Sequence, residues 1–263
     1  MINYEIKEED FENLQNELVR IVAESTPNDG VHSVWLNTEN KFSNLVRTLE
    51  VGIFPEIVSF VDPLVESRSK FLALVDTSED QRRIVHGFRL SGIAMNATVG
   101  EAQNKKSGLY NQDESIGLIM VDELIQSGQG CTAKEFREYY DMAGVKIEDC
   151  VSVETNFRVG DKVETDGLRV SDLGYIAIFN LLERISTKLD EAWVFAYLNA
   201  PAIKSLQAIG IEYRPFAGRE DLKAPGSGEE FDEHYIPVAI PKNKRNTDVF
   251  RSIAPFGAPE VEL

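Results

Sequence analysis

Strand and helix patterns alternate in the second half of the chain, and this alternation restricts the fold more than any other feature. In order, the patterns are a strand over 150–159, a helix over 172–189, a strand over 192–198, a helix over 201–209 and a strand over 211–216. Strands separated by helices favour parallel pairing with crossover helices, so this half predicts an α/β unit. A last strand pattern covers 235–240 and ends at Pro241.

The first half predicts helices and then an antiparallel hairpin. Apolar residues recur at helical spacing over 8–24 and 38–52, whereas 71–75 and 84–90 are strand-like runs joined by a polar stretch. No strand is predicted before residue 71. Two more helical patterns, 116–126 and 133–142, occupy a segment that we interpret as an insertion and a candidate lid.

Together these patterns predict a single domain of the α/β (α+β) class. Its predicted parts are an N-terminal helical part over 1–65, the insertion over 92–149, the core over 150–240 and a tail over 241–263. Hydrophobic residues make up 43% of the chain, which is enough to bury a sizeable core.

Charge and cysteine content exclude several classes of function. The net charge of −17 repels phosphate backbones, so nucleic acid is not an expected partner. Cys131 and Cys150 have neither the number nor the spacing of a disulfide framework or a zinc site, and we expect free thiols and no metal. The longest apolar run, 175–179, is far shorter than a bilayer span, so we expect a cytoplasmic protein without a membrane span.

The strand over 150–159 carries an unusual polar face. Simple alternation places Val151, Val153, Thr155, Phe157 and Val159 on one face and Ser152, Glu154, Asn156 and Arg158 on the other. Four polar side chains near the middle of a sheet need solvent or a wet cleft, because burying them unpaired costs several kcal/mol.

Two helix starts are candidate binding elements. Arg169, Ser171, Asp172 and Gly174 precede or open the helix over 172–189, where N–H groups, the helix dipole and an arginine can converge on an anion. An ordinary helix start, with Ser171 or Asp172 as N-cap, explains the same residues. Asn199 follows a strand directly, at the edge where open α/β sheets bind ligands.

These segments resemble the GNAT superfamily of N-acyltransferases. Arg169-x-x-Asp172-x-Gly174 is similar to the family's pyrophosphate loop, and Asn199, Ala202 and Gly210-Ile211 stand at matching offsets. The resemblance implies a mixed, partly splayed sheet in which the separated strand binds the acyl carbonyl. It also implies that Arg169, Ser171, Gly174 and Asn199 contact the donor's phosphates, and that an N–H near Phe157 or Val159 holds the oxyanion.

Two strands narrow the resemblance to the autoinducer-synthase and long-chain N-acyl amino acid synthase branch. Residues 84–90 are similar to that branch's V-x-G-x-x-R-L strand, and residues 153–159 to its E-x-S/T-R-F-x-V strand. Two positions depart from the superfamily pattern: Asp172 replaces the first glycine of the phosphate loop, and Leu206 replaces a tyrosine that acts as general acid in many members.

The sequence therefore predicts an N-acyltransferase with no permanently bound cofactor. Its co-substrate is acyl-CoA or the acyl-phosphopantetheine of an acyl carrier protein, and its acceptor is a primary amine of a small molecule or amino acid. In the implied site Glu154 is the base, Asn156 orients substrate, and Arg89 and Arg158 bind substrate. Tyr197 is the candidate acid, with Tyr213 as the alternative. The same strand also fits an exposed Glu154 paired with either arginine.

Two other interpretations stay open. The chain is also compatible with a GNAT-like module that binds a ligand or protein without catalysis, because Asp172 and Leu206 depart from the pattern. One basic cluster contains Lys242, Lys244, Arg245 and Arg251, and a smaller one contains Lys105 and Lys106. These residues either steer the donor or, at the end of the chain, belong to a solvated tail.

Overall fold

The computed structural model describes residues 31–37, 69–77, 83–92, 116–128, 131–158, 164–165, 168–185, 188–224, 235–253 and 260–262. The helices predicted over 8–24 and 38–52 lie outside these residues.

The described residues contain ten strands and five α-helices. The strands are β1 (Val31–Asn37), β2 (Ser69–Asp76), β3 (Arg83–Ser91), β4 (Val151–Arg158), β5 (Glu164–Thr165), β6 (Leu168–Arg169), β7 (Trp193–Asn199), β8 (Arg214–Pro215), β9 (Tyr235–Pro241) and β10 (Glu260–Glu262). The α-helices are α1 (Ile119–Gln126), α2 (Ala133–Met142), α3 (Val170–Ile185), α4 (Ala200–Ala208) and α5 (Lys244–Ile253).

Eight of the described strands form one mixed sheet. Their order is β10-β1-β2-β3-β4-β7-β9-β8, and β5 pairs with β6 in a separate ribbon. The β4–β7 and β1–β10 pairs are parallel, and the other pairs are antiparallel. The predicted mixed α/β sheet is therefore confirmed, as is the antiparallel hairpin of β2 and β3.

The parallel pairing expected throughout the second half is correct only for β4 and β7. The crossover through α4 leads to β8, but β9 lies between β7 and β8 and runs antiparallel to both. The strand predicted over 211–216 is reduced to Arg214–Pro215, and a 3-10 turn, Phe216–Gly218, follows it. Pro215 has no N–H to donate, which suits the short edge strand.

The strand β1 was not expected, because the sequence interpretation placed no strand before residue 71. β1 pairs antiparallel with β2 along its whole length and parallel with β10. Its partners stand more than thirty positions away in the chain, so local pattern alone does not reveal the pairing.

Two hydrophobic layers cover the two faces of the sheet. Val194, Ala196 and Leu198 of β7 belong to the layer under α3, α4 and α5, whereas Trp193 and Phe195 belong to the layer under α1 and α2. Residues two apart in a strand share a face, so one strand supplies both layers.

The helices α1 and α2 form a core layer, and the lid interpretation is wrong for them. Met120, Leu124, Phe136 and Tyr140 have no exposed surface and pack with Phe195. The N-terminus of α2 is fixed by a capping box between Thr132 and Glu135.

Residues 241–253 do not form a solvated tail. Phe250 of α5 stacks on Phe179 of α3 with 3.7 Å between ring centroids. The Lys242 side chain is 1% exposed, and its Nζ lies 3.4 Å from Glu183 Oε1. Residues 241–253 are therefore part of the packed core, because Phe250 of α5 and the buried Lys242 both contact α3.

Replacing Phe250 tests this correction. Phe250→Ala removes a buried aromatic ring and should lower the free energy of unfolding by about 3–5 kcal/mol. Asp248→Ala alters an exposed position of the same helix and should change it by less than about 0.5 kcal/mol. Urea unfolding of both variants measures the difference, and equal, small effects would show that α5 is not part of the core.

Candidate active site

The parallel pairing of β4 and β7 ends before either strand does. Its Cα partners are Val151 with Val194, Ser152 with Phe195 and Val153 with Ala196. Beyond these pairs β4 continues to Arg158 beside β3, and β7 continues to Asn199 beside β9. We call this unpaired region, 154–158 facing 197–199, the strand gap.

A β-bulge lies at the start of the strand gap. The register of β3 with β4 passes from Leu90 opposite Val153 to Arg89 opposite Thr155, so Glu154 is skipped. Within 151–158, Glu154 is the residue without a Cα partner in either β3 or β7. The bulge interrupts the regular ladder between β3 and β4 and changes their register at Glu154.

Two helices begin at the edge of the sheet where β4 and β7 end. The helix α4 begins directly after Asn199, the last residue of β7, and α3 begins directly after Arg169, the last residue of β6. The ring of Tyr175, in the second turn of α3, packs edge-on against Phe88, and the centroids are 6.0 Å apart. Phe88 lies opposite Asn156 in the register, so the start of α3 is beside the strand gap.

The predicted residues of β3 and β4 are placed by their backbone. Asn156 pairs with Phe88, Phe157 with Gly87 and Arg158 with His86, and Arg89 pairs with Thr155. The structure describes the backbone, but not the side chains, of Arg89, Glu154, Asn156, Phe157 and Arg158. Val159 lies outside the described residues.

The predicted phosphate loop is the beginning of a helix. The helix α3 starts at Val170, two residues before the expected start, so Ser171, Asp172 and Gly174 are helical and Arg169 ends β6. The first turn of a helix offers N–H groups without intrahelical partners, and these attract anions. Ser171, Asp172 and Gly174 therefore belong to the beginning of α3 and not to a preceding loop.

Tyr197 is the first residue of β7 beyond the parallel pairing. Its hydroxyl donates to the carbonyl of Met120 in α1 at 3.2 Å. This bond fixes the phenol between the strand gap and the α1 layer, and it engages the proton that a general acid would deliver.

Asn199 acts as the N-cap of α4. Its Oδ1 accepts from the backbone N–H of Ala202 at 3.0 Å, and Pro201 lies in the first turn. Leu206 is 1% exposed and packs in the core.

Sequence reasoning missed a buried hydroxyl pair at the base of the strand gap. The hydroxyls of Ser91 and Ser152 lie 2.9 Å apart, and both residues are 0% exposed. Ser152 was assigned to the wet polar face, but Ser91 satisfies it inside the protein. The pair joins positions 61 residues apart, so only the register of β3 with β4 reveals it.

The two thiols do not supply a nucleophile. Burial raises the pKa of Cys150, whose Sγ donates to the carbonyl of Lys146 at 3.2 Å, and burial also raises the pKa of Cys131. Both thiols therefore stay protonated at neutral pH, whereas cysteine nucleophiles act as thiolates.

Within the described ranges, no group of three or more His, Cys, Asp or Glu side chains has the placement of a metal site. In the same part of the chain, no helix has both the length and the apolar character required to cross a bilayer.

Comparisons with known proteins connect this chain to solved structures alone. No protein-family model and no curated protein matches the sequence. The CoA-dependent acyl-homoserine lactone synthase BjaI, solved with SAM and isopentyl-CoA, is similar with a TM-score of 0.47 and 14% identity, covering 89% of this chain and 94% of that one. The CoA-dependent acyl-homoserine lactone synthase MesI is similar with a TM-score of 0.45 and 11% identity, covering 88% of this chain and 99% of that one. A likeness at this level leaves the substrate of this chain to be argued from its own residues.

The buried thiol of Cys150 should make stability depend on pH. When folding raises the pKa of an acid, the folded chain holds the proton up to a higher pH than the unfolded chain does. The free energy of unfolding therefore falls once the pH exceeds the thiol pKa of the unfolded chain, about 8.5. The free energy of unfolding should fall from there, by up to about 1.4 kcal/mol per pH unit for each such group. Burial also raises the pKa of Tyr140, which should add to the fall above about pH 10.

Urea unfolding of the wild type and Cys150→Ala at pH 7, 8, 9 and 10 measures this effect. The variant should lose stability less steeply between pH 8.5 and 10. Identical slopes in the two proteins would contradict the assignment to Cys150.

Proposed function

We propose that the chain is an N-acyltransferase that moves an acyl group from a thioester donor to a primary amine. The donor is acyl-CoA or an acylated carrier protein, and the acceptor is a small molecule or an amino acid. The strand gap carries this proposal, because two adjacent parallel strands stop pairing at Val153 and Ala196 while both continue.

Backbone groups in the strand gap fit a thioester carbonyl. Strands that separate inside a sheet leave N–H and C=O groups that need other partners, and an extended donor chain can supply them. In the proposed reaction an N–H near Phe157 or Val159 stabilises the negative oxygen that develops during attack.

The starts of α3 and α4 fit the donor's phosphates. Both helices begin at the edge where β4 and β7 end, and their first turns present N–H groups and the positive end of the helix dipole. We assign Arg169, Ser171 and Gly174 of the α3 start to this role, together with Asn199 at the α4 start. Asp172 has to turn away from the phosphates, because a carboxylate there would repel them.

Glu154 is the proposed base. It is the skipped residue at the bulge and the first residue of β4 in the strand gap. The amine nitrogen bonds to the carbonyl carbon, the carbon–sulfur bond breaks, and the amine proton passes to Glu154 directly or through water. The leaving thiolate takes a proton from Tyr197 or from water, while Asn156, Arg89 and Arg158 orient the acceptor.

Direct attack agrees with the chemistry of the described thiols. The raised pKa values of Cys131 and Cys150 keep both protonated, so neither suits an acyl-enzyme intermediate. Holding amine and thioester together in one site supplies much of the rate by proximity.

A non-catalytic GNAT-like binding module is the second candidate. Two observations favour it. Leu206, at the position where many acyltransferases of the resembling superfamily carry a tyrosine acid, is buried. The hydroxyl of Tyr197 already donates a hydrogen bond to the carbonyl of Met120. In this alternative the strand gap holds a ligand without transferring an acyl group.

Two measurements separate the candidates. The protein is incubated with short- and long-chain acyl-CoA, with acylated carrier protein and with pooled amines, and mass spectrometry detects N-acyl products. Thermal shift with acyl-CoA and free CoA then measures binding, since a ligand at a hundred times its Kd adds about 2.7 kcal/mol to stability. Product formation supports the transferase. Stabilisation by a donor without any product supports the binding module. If no product forms and no donor stabilises the protein, both candidates are refuted.

The role of Glu154 predicts a specific kinetic effect. Glu154→Gln should lower kcat by about 10²–10⁴-fold with little change in KM, and the acidic limb of the kcat pH profile should disappear. Glu138→Gln alters an exposed glutamate of α2 and is the matched control, which should keep wild-type kinetics. A Glu154→Gln enzyme with unchanged kcat would remove Glu154 from the mechanism.

A further inference from the structure

A groove of about 540 Å³ lies at the far edge of the sheet from β10, between the end of α4, β8 and β9. Its apolar lining residues are Ile211, Pro215, Leu222, Ile236, Pro237 and Val238, of which Pro215 and Ile236 are half-buried and the others are buried. Ligand sites are typically concave and 300–1,000 Å³ in volume, with polar groups that fix orientation. The volume of this groove lies within that range.

The groove is separate from the strand gap. Ile236 and Pro237 line it, and on the other side of β9 these residues pair with Leu198 and Tyr197 of β7. The strands β7 and β9 therefore both stand between the groove and β4.

Arg245, which lines the groove, is held by a hydrogen bond, but its positive charge has no acidic partner among the described residues. Arg245 lies in the first turn of α5, and its Nε donates to the carbonyl of Gly210 at 3.1 Å. Within the described part of the chain no carboxylate pairs with Arg245, whereas Arg214 pairs with Glu212 and Arg219 pairs with Asp221. The rest of the Arg245 guanidinium is therefore available to a ligand oxygen.

A second donor lies in the same groove. The hydroxyl of Tyr213 accepts from Gln207 Nε2 at 3.3 Å, so its own proton is directed elsewhere. Of the two lining carboxylates, Glu212 is engaged by Arg214 and by Asn243, and Glu220 is the uncommitted one among described groups. Two available donors, one of them cationic, thus line the same groove as the half-buried apolar side chains of Pro215 and Ile236.

We propose that this groove binds an amphipathic carboxylate, with its hydrocarbon body on the half-buried side chains of Pro215 and Ile236 and its carboxylate on Arg245 and Tyr213. The inference does not depend on the acyl transfer proposed above. An aliphatic amine of the same length would place its ammonium beside Arg245 and bind more weakly, because like charges repel.

Matched probes test the proposal on the full chain. Octanoate, octanol and octylammonium are titrated by calorimetry and by NMR of the methyl groups of Ile236. We expect saturable octanoate binding that shifts these methyl signals and weaker binding of the other two probes. Octylammonium binding as tight as octanoate binding, octanoate shifts confined to other methyl groups, or no saturable binding would overturn the proposal.

Charge variants give predictions of opposite sign. Arg245→Gln should weaken octanoate binding about fivefold, as for an exposed ion pair. Glu220→Gln removes a negative charge that repels the carboxylate of octanoate, so this variant should bind octanoate more tightly. It keeps the test valid if Arg245→Gln disturbs the end of α4. Arg251→Gln makes the same charge change on α5 outside the groove and should leave the affinity unchanged. Equal effects of Arg245→Gln and Arg251→Gln would contradict a site at Arg245.

Discussion

The three parallel pairs between β4 and β7 are the constraint on which the rest of the structure depends. They are the described backbone connection between the strands β10-β1-β2-β3-β4 and the strands β7-β9-β8. The core layer under α3 spans this connection, since Leu72, Phe88 and Leu90 belong to the same cluster as Val194 and Val238. Side-chain packing thus holds the two halves together, so a short pairing suffices and the strands can separate beyond it.

In the proposed function backbone groups hold the donor's phosphates, and the distribution of charge in the described residues fits that proposal. In the described residues, most of the placed cations already have acidic partners, such as Lys146 with Glu191 and Arg251 with Glu183. A chain with a net charge of −17 therefore offers few cations for an anionic donor. The N–H groups at the starts of α3 and α4 supply positive potential without a basic side chain.

Local patterns predicted the elements that act as crossovers. Helical spacing located α3 and α4, and capping residues explain where α4 begins, because Asn199 bonds its first turn. The resemblance to acyltransferases directed attention to β4 and to Tyr197. It did not reveal that the phenol of Tyr197 donates a hydrogen bond to the carbonyl of Met120, 77 residues away. Nor did it reveal that α1 covers the face of the sheet on which this phenol lies.

The sequence by itself determined the α/β class, the hairpin of β2 and β3, and the identity of the strand that carries the candidate chemistry, since these follow from spacing along a few turns or strands. Only the tertiary structure decided the skipped position of Glu154, the pairing of Ser91 with Ser152, and the burial of Lys242. Each of these depends on register or packing between segments far apart in the chain, and short-range periodicity contains no information about which distant residues meet.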